Sequence, residues 1–169
     1  MVRPSDVLVL LAIHESAPGW TLRSLAARLG VAHAKVQRSI HRLSQAGLYD
    51  ARRRRVVVHA AEEFLVHALK YLDPLEEGAP ARGVPTGWAA RPLLDEIATA
   101  EELPPVWPDP EGQVRGLAVR PLDLSLPRLV ASWPEVAEMA ALLDALRLGD
   151  ARVRLAAERH LRERLADAA

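Results

Sequence analysis

The 169-residue chain contains no cysteine, which excludes disulfide bonds and metal sites with thiolate ligands. Long apolar runs are also missing. The longest covers residues 7–13, far short of the roughly 20 residues that span a bilayer. The first residues, MVRPSD, contain no hydrophobic signal segment. These absences together predict a cytoplasmic protein.

Motifs that carry enzyme chemistry are missing as well. The sequence contains no nucleophile elbow, no phosphate-binding loop and no dinucleotide fingerprint, so we expect no catalysis and no cofactor. The six histidines include no H-x-x-x-H pair. His33 and His41 fall two turns apart on one predicted helix, too far to share a metal ion, so we expect no metal site.

The charges are unevenly divided along the chain although the net charge is zero. Residues 1–72 contain 11 Lys and Arg against 5 Asp and Glu, whereas residues 73–169 contain 11 against 17. The halves therefore carry +6 and −6, which predicts that only the first half meets a polyanion. Abundant Arg, Ala and Leu suit a GC-rich bacterial genome.

The most informative stretch is TLRSLAARLGVAHAKVQRSIHRLSQAGLYDARRRRVVV, residues 21–58. Thr21 is a predicted cap of a helix that Gly30 ends. The next predicted helix covers residues 32–46 and places Val36, Ile40 and Leu43 on its inner face. Two short strands, residues 48–49 and 56–58, are predicted to follow, joined by residues 50–55. Further helices are predicted to begin after Ser5 and to cover residues 60–72.

The order helix, short strand, helix, tight turn, helix, β-hairpin resembles the winged helix-turn-helix family, with MarR-like regulators as the nearest named relatives. The segment SLAARLGVAHAKVQRSIHRLSQAGL and the hairpin after it carry the resemblance, which covers about residues 5–72. It implies a bacterial transcriptional regulator that binds double-stranded DNA in a sequence-specific way. It also implies that the hairpin tip lies along or in the minor groove, where arginine is favoured.

The residues themselves support the same expectation. A helix of this length spans roughly 20 Å and fits a major groove ~12 Å wide. We expect Arg38 to pair with guanine and Gln37 with adenine, while Lys35 and Arg42 contact phosphates. Backbone N–H groups at residues 21–23 also suit a phosphate. The candidate DNA-binding residues are Thr21, Arg23, His33, Lys35, Gln37, Arg38, His41, Arg42, Arg52, Arg53, Arg54 and Arg55.

The remaining chain is predicted to form two segments after the DNA-binding domain of residues 1–72. Residues 73–131 form a Pro- and Gly-rich irregular arm with a small hairpin near Asp109, and residues 132–169 form a helical hairpin joined at Gly149. A capping box is predicted at Ser132. The fold class is therefore mainly α, with a two-stranded wing. A homodimer is expected, because small DNA-binding modules usually dimerise.

Two other interpretations remain open. Winged helix folds also serve as protein-interaction modules, so the basic face can instead meet an acidic partner or the protein's own acidic half. The chain can also act as an antitoxin-type partner of another protein, through its C-terminal half. Three tryptophans in that half either line an effector pocket or anchor the Pro-rich segment: Trp88, Trp107 and Trp133. Exposure of the helix over residues 32–46 favours DNA, and its burial favours a protein contact.

Overall fold

The computed structural model describes residues 1–98 and 103–167, which form a mainly helical fold with two small sheets. Three helices and a two-stranded antiparallel hairpin come first, as predicted, although no strand lies between the first two helices among the described residues. These elements are α1 (Pro4–His14), α2 (Leu22–Leu29), α3 (His33–Gln45), β1 (Tyr49–Asp50) and β2 (Arg55–Val56).

Local signals explain where these helices begin and end. Thr21 caps α2, because its hydroxyl accepts the N–H of Ser24 at 3.0 Å. Gly30 ends α2 with φ +68, and Gly47 follows α3 with φ +75. Glycine adopts this left-handed conformation without the steric cost that a Cβ imposes.

A helix that we call α4 follows the hairpin in three consecutive parts. It starts as Val58–Glu63, continues through a π-helical segment at Phe64–Ala68 and ends as Leu69–Leu72. The prediction of a strand over residues 56–58 was therefore too long, since Val58 already belongs to α4, although the Val57 N–H still donates to the Leu48 carbonyl at 2.9 Å.

The prediction of an irregular arm with a small hairpin is wrong for residues 73–131. A closed three-stranded sheet forms there, and β4 and β5 run parallel to each other while both run antiparallel to β3. The predicted turn at Asp109 exists, with the N–H of Gly112 donating to its carbonyl at 3.0 Å. The strands are β3 (Pro80–Pro85), β4 (Pro105–Pro108) and β5 (Val114–Ala118).

β3 changes partner strands at Gly83, where its backbone approaches β4 closely. This residue pairs with Pro108 of β4 and also with Val114 of β5, so the two strands occupy successive stretches of β3. A Cβ at position 83 would overlap the carbonyl oxygen of Trp107. Only glycine allows the backbones to come this close.

Three helices complete the chain, and the last two form the predicted helical hairpin. The capping box predicted at Ser132 is wrong, because Ser132 is the last residue of an unpredicted helix and its hydroxyl donates to the carbonyl of Arg128. Trp133 precedes the next helix without a side-chain cap. The helices are α5 (Leu126–Ser132), α6 (Pro134–Leu148) and α7 (Ala151–Asp167). No helix in the described ranges is both long and apolar enough to cross a membrane.

One hydrophobic core joins the two halves of the chain. Every residue of α1 from Asp6 to His14 is buried, because α1 packs on α2 and α3 and also on α6. The Nε2 of His14 lies 3.0 Å from the carbonyl oxygen of Arg164 in α7. The N-terminal helices therefore share their interior with the C-terminal helical hairpin.

A buried carboxylate organises the C-terminal half. Asp144 of α6 accepts the Trp107 Nε1–H and the Thr86 hydroxyl, both at 2.7 Å, and it pairs with Arg147 at 2.5 Å. Burial raises the pKa of Asp144, and the charge of Arg147 and these hydrogen bonds oppose that rise. Trp107 and Trp133 are each 1% exposed, which confirms them as core anchors.

A second buried carboxylate joins α1 to α3. Asp6 is fully buried and accepts two hydrogen bonds from the Arg42 guanidinium, at 2.6 and 2.7 Å, and one from the Ser39 hydroxyl at 2.6 Å. It also accepts the Arg3 N–H at 2.8 Å. Burial would raise the pKa of Asp6, but these hydrogen bonds outweigh burial and hold the pKa below its ordinary value.

We predict that Asp6→Asn lowers the free energy of unfolding by about 3 kcal/mol at pH 7, because it leaves the Arg42 charge without its partner. A carboxylate with a depressed folded-state pKa stabilises the fold above its unfolded pKa, and this contribution disappears as pH falls through the folded-state value. The difference in the free energy of unfolding between wild type and variant therefore becomes smaller below about pH 4. Urea unfolding across this pH range measures it.

The matched control is Glu163→Gln, which removes a carboxylate from an exposed ion pair with Arg159. Exposed pairs contribute little, so this variant should unfold like the wild type. If the free energy of unfolding of Asp6→Asn differs from that of the wild type by the same amount at every pH, the role assigned to the Asp6 carboxylate is contradicted.

Candidate nucleic-acid interface

The outer face of α3 is exposed along its whole length. Gln37, Arg38 and His41 project outward, whereas Val36, Ser39 and Leu43 are buried on the opposite side. The split follows from the helical period, which places residues three and four apart on one face. The structure thus brings three of the candidate DNA-binding side chains together on one exposed face.

Two cations on the edge of α3 already have partners. Lys35 pairs with the buried carboxylate of Asp123, and Arg42 pairs with Asp6. Burial would raise the pKa of Asp123, but hydrogen bonds from Lys35 and Ser125 hold it below its ordinary value. The predicted phosphate contacts of Lys35 and Arg42 would therefore require each ion pair to be exchanged for a phosphate.

Residues 52–55, which we call the arginine turn, form the tip of the hairpin, and Arg55 is also the first residue of β2. Asp50 builds this turn. The Asp50 Oδ1 accepts the N–H groups of Arg52 at 2.9 Å and Arg53 at 3.1 Å. The Arg53 N–H is the main reason that the pKa of Asp50 lies below its ordinary value. A carboxylate at this position is typical of a tight turn.

The four arginines of this turn are not equivalent. Arg54 has a left-handed backbone, with φ +54, and its guanidinium donates to the Trp20 carbonyl at 2.7 Å and lies 4.8 Å from the centre of the Trp20 ring. Arg53 pairs with Asp50 at 3.2 Å. The exposed guanidinium groups of Arg52 and Arg55 make no hydrogen bond or ion pair within the described ranges. Arg54 is thus an anchor, while Arg52 and Arg55 remain available to a ligand.

The arginine turn and the start of α2 face each other across an open groove. Thr21 and Arg23 are exposed at the N-terminus of α2, where the first N–H groups lack acceptors within the helix. His33, at the first position of α3, lies on the same groove. The candidate residues that line it together are Thr21, Arg23, His33, Arg53, Arg54 and Arg55. A second concavity is lined by Gln37, Arg38, His41 and Arg42.

Three residues that shape this surface were missed by the sequence analysis. Asp50 was detectable, because an aspartate before a turn commonly bonds to the following N–H groups. Trp20 and Asp123 were not detectable from local patterns, since Arg54 lies 34 residues from Trp20 and Lys35 lies 88 residues from Asp123.

Two other kinds of candidate site are an effector pocket and a metal site. Trp88 is half-buried beside a small cavity where α6 meets α7, and the cavity wall includes Pro105, Leu148 and Val153. Among residues 1–98 and 103–167, no three His, Asp or Glu side chains cluster so that they could hold a metal ion.

Comparisons with protein-family models, with curated proteins and with solved structures found no match for this chain.

We predict that Arg54→Ala loosens the arginine turn without unfolding the protein. An exposed cation–π contact contributes about 0.5–1 kcal/mol, so the amides of Arg52 and Arg53 should exchange with solvent about two- to fivefold faster. Amide hydrogen exchange by NMR measures this directly.

Arg55→Ala is the matched control, because its exposed side chain has no partner within the described ranges. Equal acceleration in the two variants would contradict the anchoring role of Arg54.

Proposed function

We propose that residues 1–72 are a winged helix-turn-helix domain that binds double-stranded DNA, and that the protein is a bacterial transcriptional regulator that acts as a homodimer. The observation that carries the proposal is the placement of exposed cations that form no ion pair within the described part of the chain. The outer face of α3, with Arg38 exposed, lies next to a groove that the start of α2 and the arginine turn also line.

The chemistry of this surface suits DNA. The guanidinium of Arg38 offers the two parallel donors that guanine accepts in the major groove, and the amide of Gln37 matches adenine. Arg23, Arg52 and Arg55 form no ion pair with any described residue, so their charges suit the sugar–phosphate backbone. The +6 charge of residues 1–72 adds a long-range attraction to the same partner.

A protein-interaction role is the second candidate, and one contact favours it. Lys35 on α3 pairs with Asp123 from the acidic half of the chain, so an acidic protein segment can occupy part of this surface. The contact reaches only one edge of α3, whereas Gln37, Arg38 and His41 stay exposed. We therefore favour DNA as the partner of the outer face.

The experiment starts with the selection of duplexes from a random library by the full-length protein. Fluorescence anisotropy then compares the selected duplex with a scrambled one at several salt concentrations. We predict that Arg38→Ala weakens binding to the selected duplex by about 1–3 kcal/mol and relaxes specificity. Arg52→Ala should weaken both duplexes alike and reduce the salt slope by about 1.

Arg154→Ala on α7 is the control, because Arg154 is exposed and has no ion pair within the described ranges. If Arg38→Ala loses the same affinity for the selected and the scrambled duplex, the proposed contact of Arg38 with a base is contradicted. Failure of the wild-type protein to bind any duplex would contradict the proposed function and favour the acidic protein partner.

A further inference from the structure

The two edges of α3 have different neighbours. His33 lies on the edge that faces the arginine turn, where both line one groove. Lys35 lies on the other edge, where it pairs with Asp123. Successive residues of a helix are 100° apart, so these positions bracket the outer face that carries Arg38. The C-terminal half thus supplies the neighbour on the edge opposite the arginine turn.

The segment that supplies this neighbour is held firmly against α2 and α3. Asp123 is 9% exposed and also accepts the N–H of Ser125 at 3.0 Å. At the other end of α5, the Arg28 guanidinium from α2 lies 3.6 Å from the centre of the buried Trp133 ring. Both ends of the segment are therefore fixed to the N-terminal half.

Arg128 lies between these two attachment points. Its side chain reaches the turn between α2 and α3, where Nη2 is 3.5 Å from the position that a Cβ on Gly30 would occupy. Arg128 is exposed, and its guanidinium makes no hydrogen bond or ion pair within the described part of the chain. An unpaired cation therefore projects from the acidic half next to the basic surface.

We propose that Arg128 is a DNA-phosphate contact, contributed by the C-terminal half on the side of α3 opposite the arginine turn. The assignment rests on the proposed function. A helix in the major groove has a sugar–phosphate backbone on each side, and phosphates are the usual partners of flanking arginines. The arginine turn contacts the sugar–phosphate backbone on one side of α3, and Arg128 contacts the backbone on the other side, near the start of α3. The DNA site thus extends beyond residues 1–72.

The test uses the full chain and a fluorescein-labelled duplex, with binding measured over a range of salt concentrations. Arg128→Gln should reduce the slope of log affinity against log salt by about 1, as expected for one lost phosphate contact. The loss should be equal on selected and scrambled duplexes, since a phosphate contact carries no sequence information. Charge reversal in Arg128→Glu should weaken binding further.

Arg154→Gln is the matched control, because it removes an exposed arginine from α7 and should leave the slope unchanged. Thermal unfolding checks that each variant is folded. The inference would be overturned if Arg128→Gln kept the wild-type slope of log affinity against log salt while Arg38→Ala lost affinity. The proposed function would then still stand. Failure of the wild-type protein to bind any duplex would overturn both. Loss confined to the selected duplex would also overturn it, because Arg128 would then read bases.

Discussion

The orientation of α3 depends on the buried carboxylate of Asp6. A charged group with no solvent exposure must be fully hydrogen-bonded, because the penalty for an unpaired buried charge is large. Arg42 and Ser39 supply that pairing from one side of α3, and Val36 and Leu43 enter the core beside them. The remaining side, with Arg38 and Gln37, can then only face outward. The composition of the exposed surface is therefore a consequence of a buried interaction.

A second set of polar contacts controls how the two halves of the chain meet. The Lys35–Asp123 pair and the Arg28–Trp133 contact connect α2 and α3 to the segment around α5. The buried network at Asp144 joins α6 to the three-stranded sheet. Hydrophobic burial is not directional, so these hydrogen bonds, the ion pair and the cation–π contact select one packing arrangement among many that would bury similar apolar area.

Much of the fold of residues 1–72 could be predicted, because its signals are local. The cap at Thr21, the left-handed glycines at 30 and 47, and the apolar spacing of α3 each act within one or two helical turns. The outward position of Arg38 and Gln37 followed from the same spacing. A helical segment can be predicted from sequence when its local signals all indicate the same helix, as they do here.

The remainder could not be predicted, because it depends on partners far along the chain. The pattern showed that Lys35 and Arg42 are polar, but not that Asp123 and Asp6 pair with them. The turn at Asp109 was correctly located, yet the two strands beside it both pair with β3 rather than form a hairpin. Strand pairing is set by tertiary packing more than by local preference. Because only a short segment separates β4 from β5, the sequence suggested an antiparallel hairpin, which is the commoner arrangement of two strands joined in this way.

The burial of α1 from Asp6 to His14 bears on how such a protein can evolve. A domain with its own core can be moved between proteins by recombination at its boundary. Here α1 packs on α3 and also on α6, so a break after residue 72 would expose the apolar surface that α6 covers. The halves must therefore be inherited together. Substitutions on α6 that alter its packing surface must be matched on α1, and sequence variation in one half constrains the other.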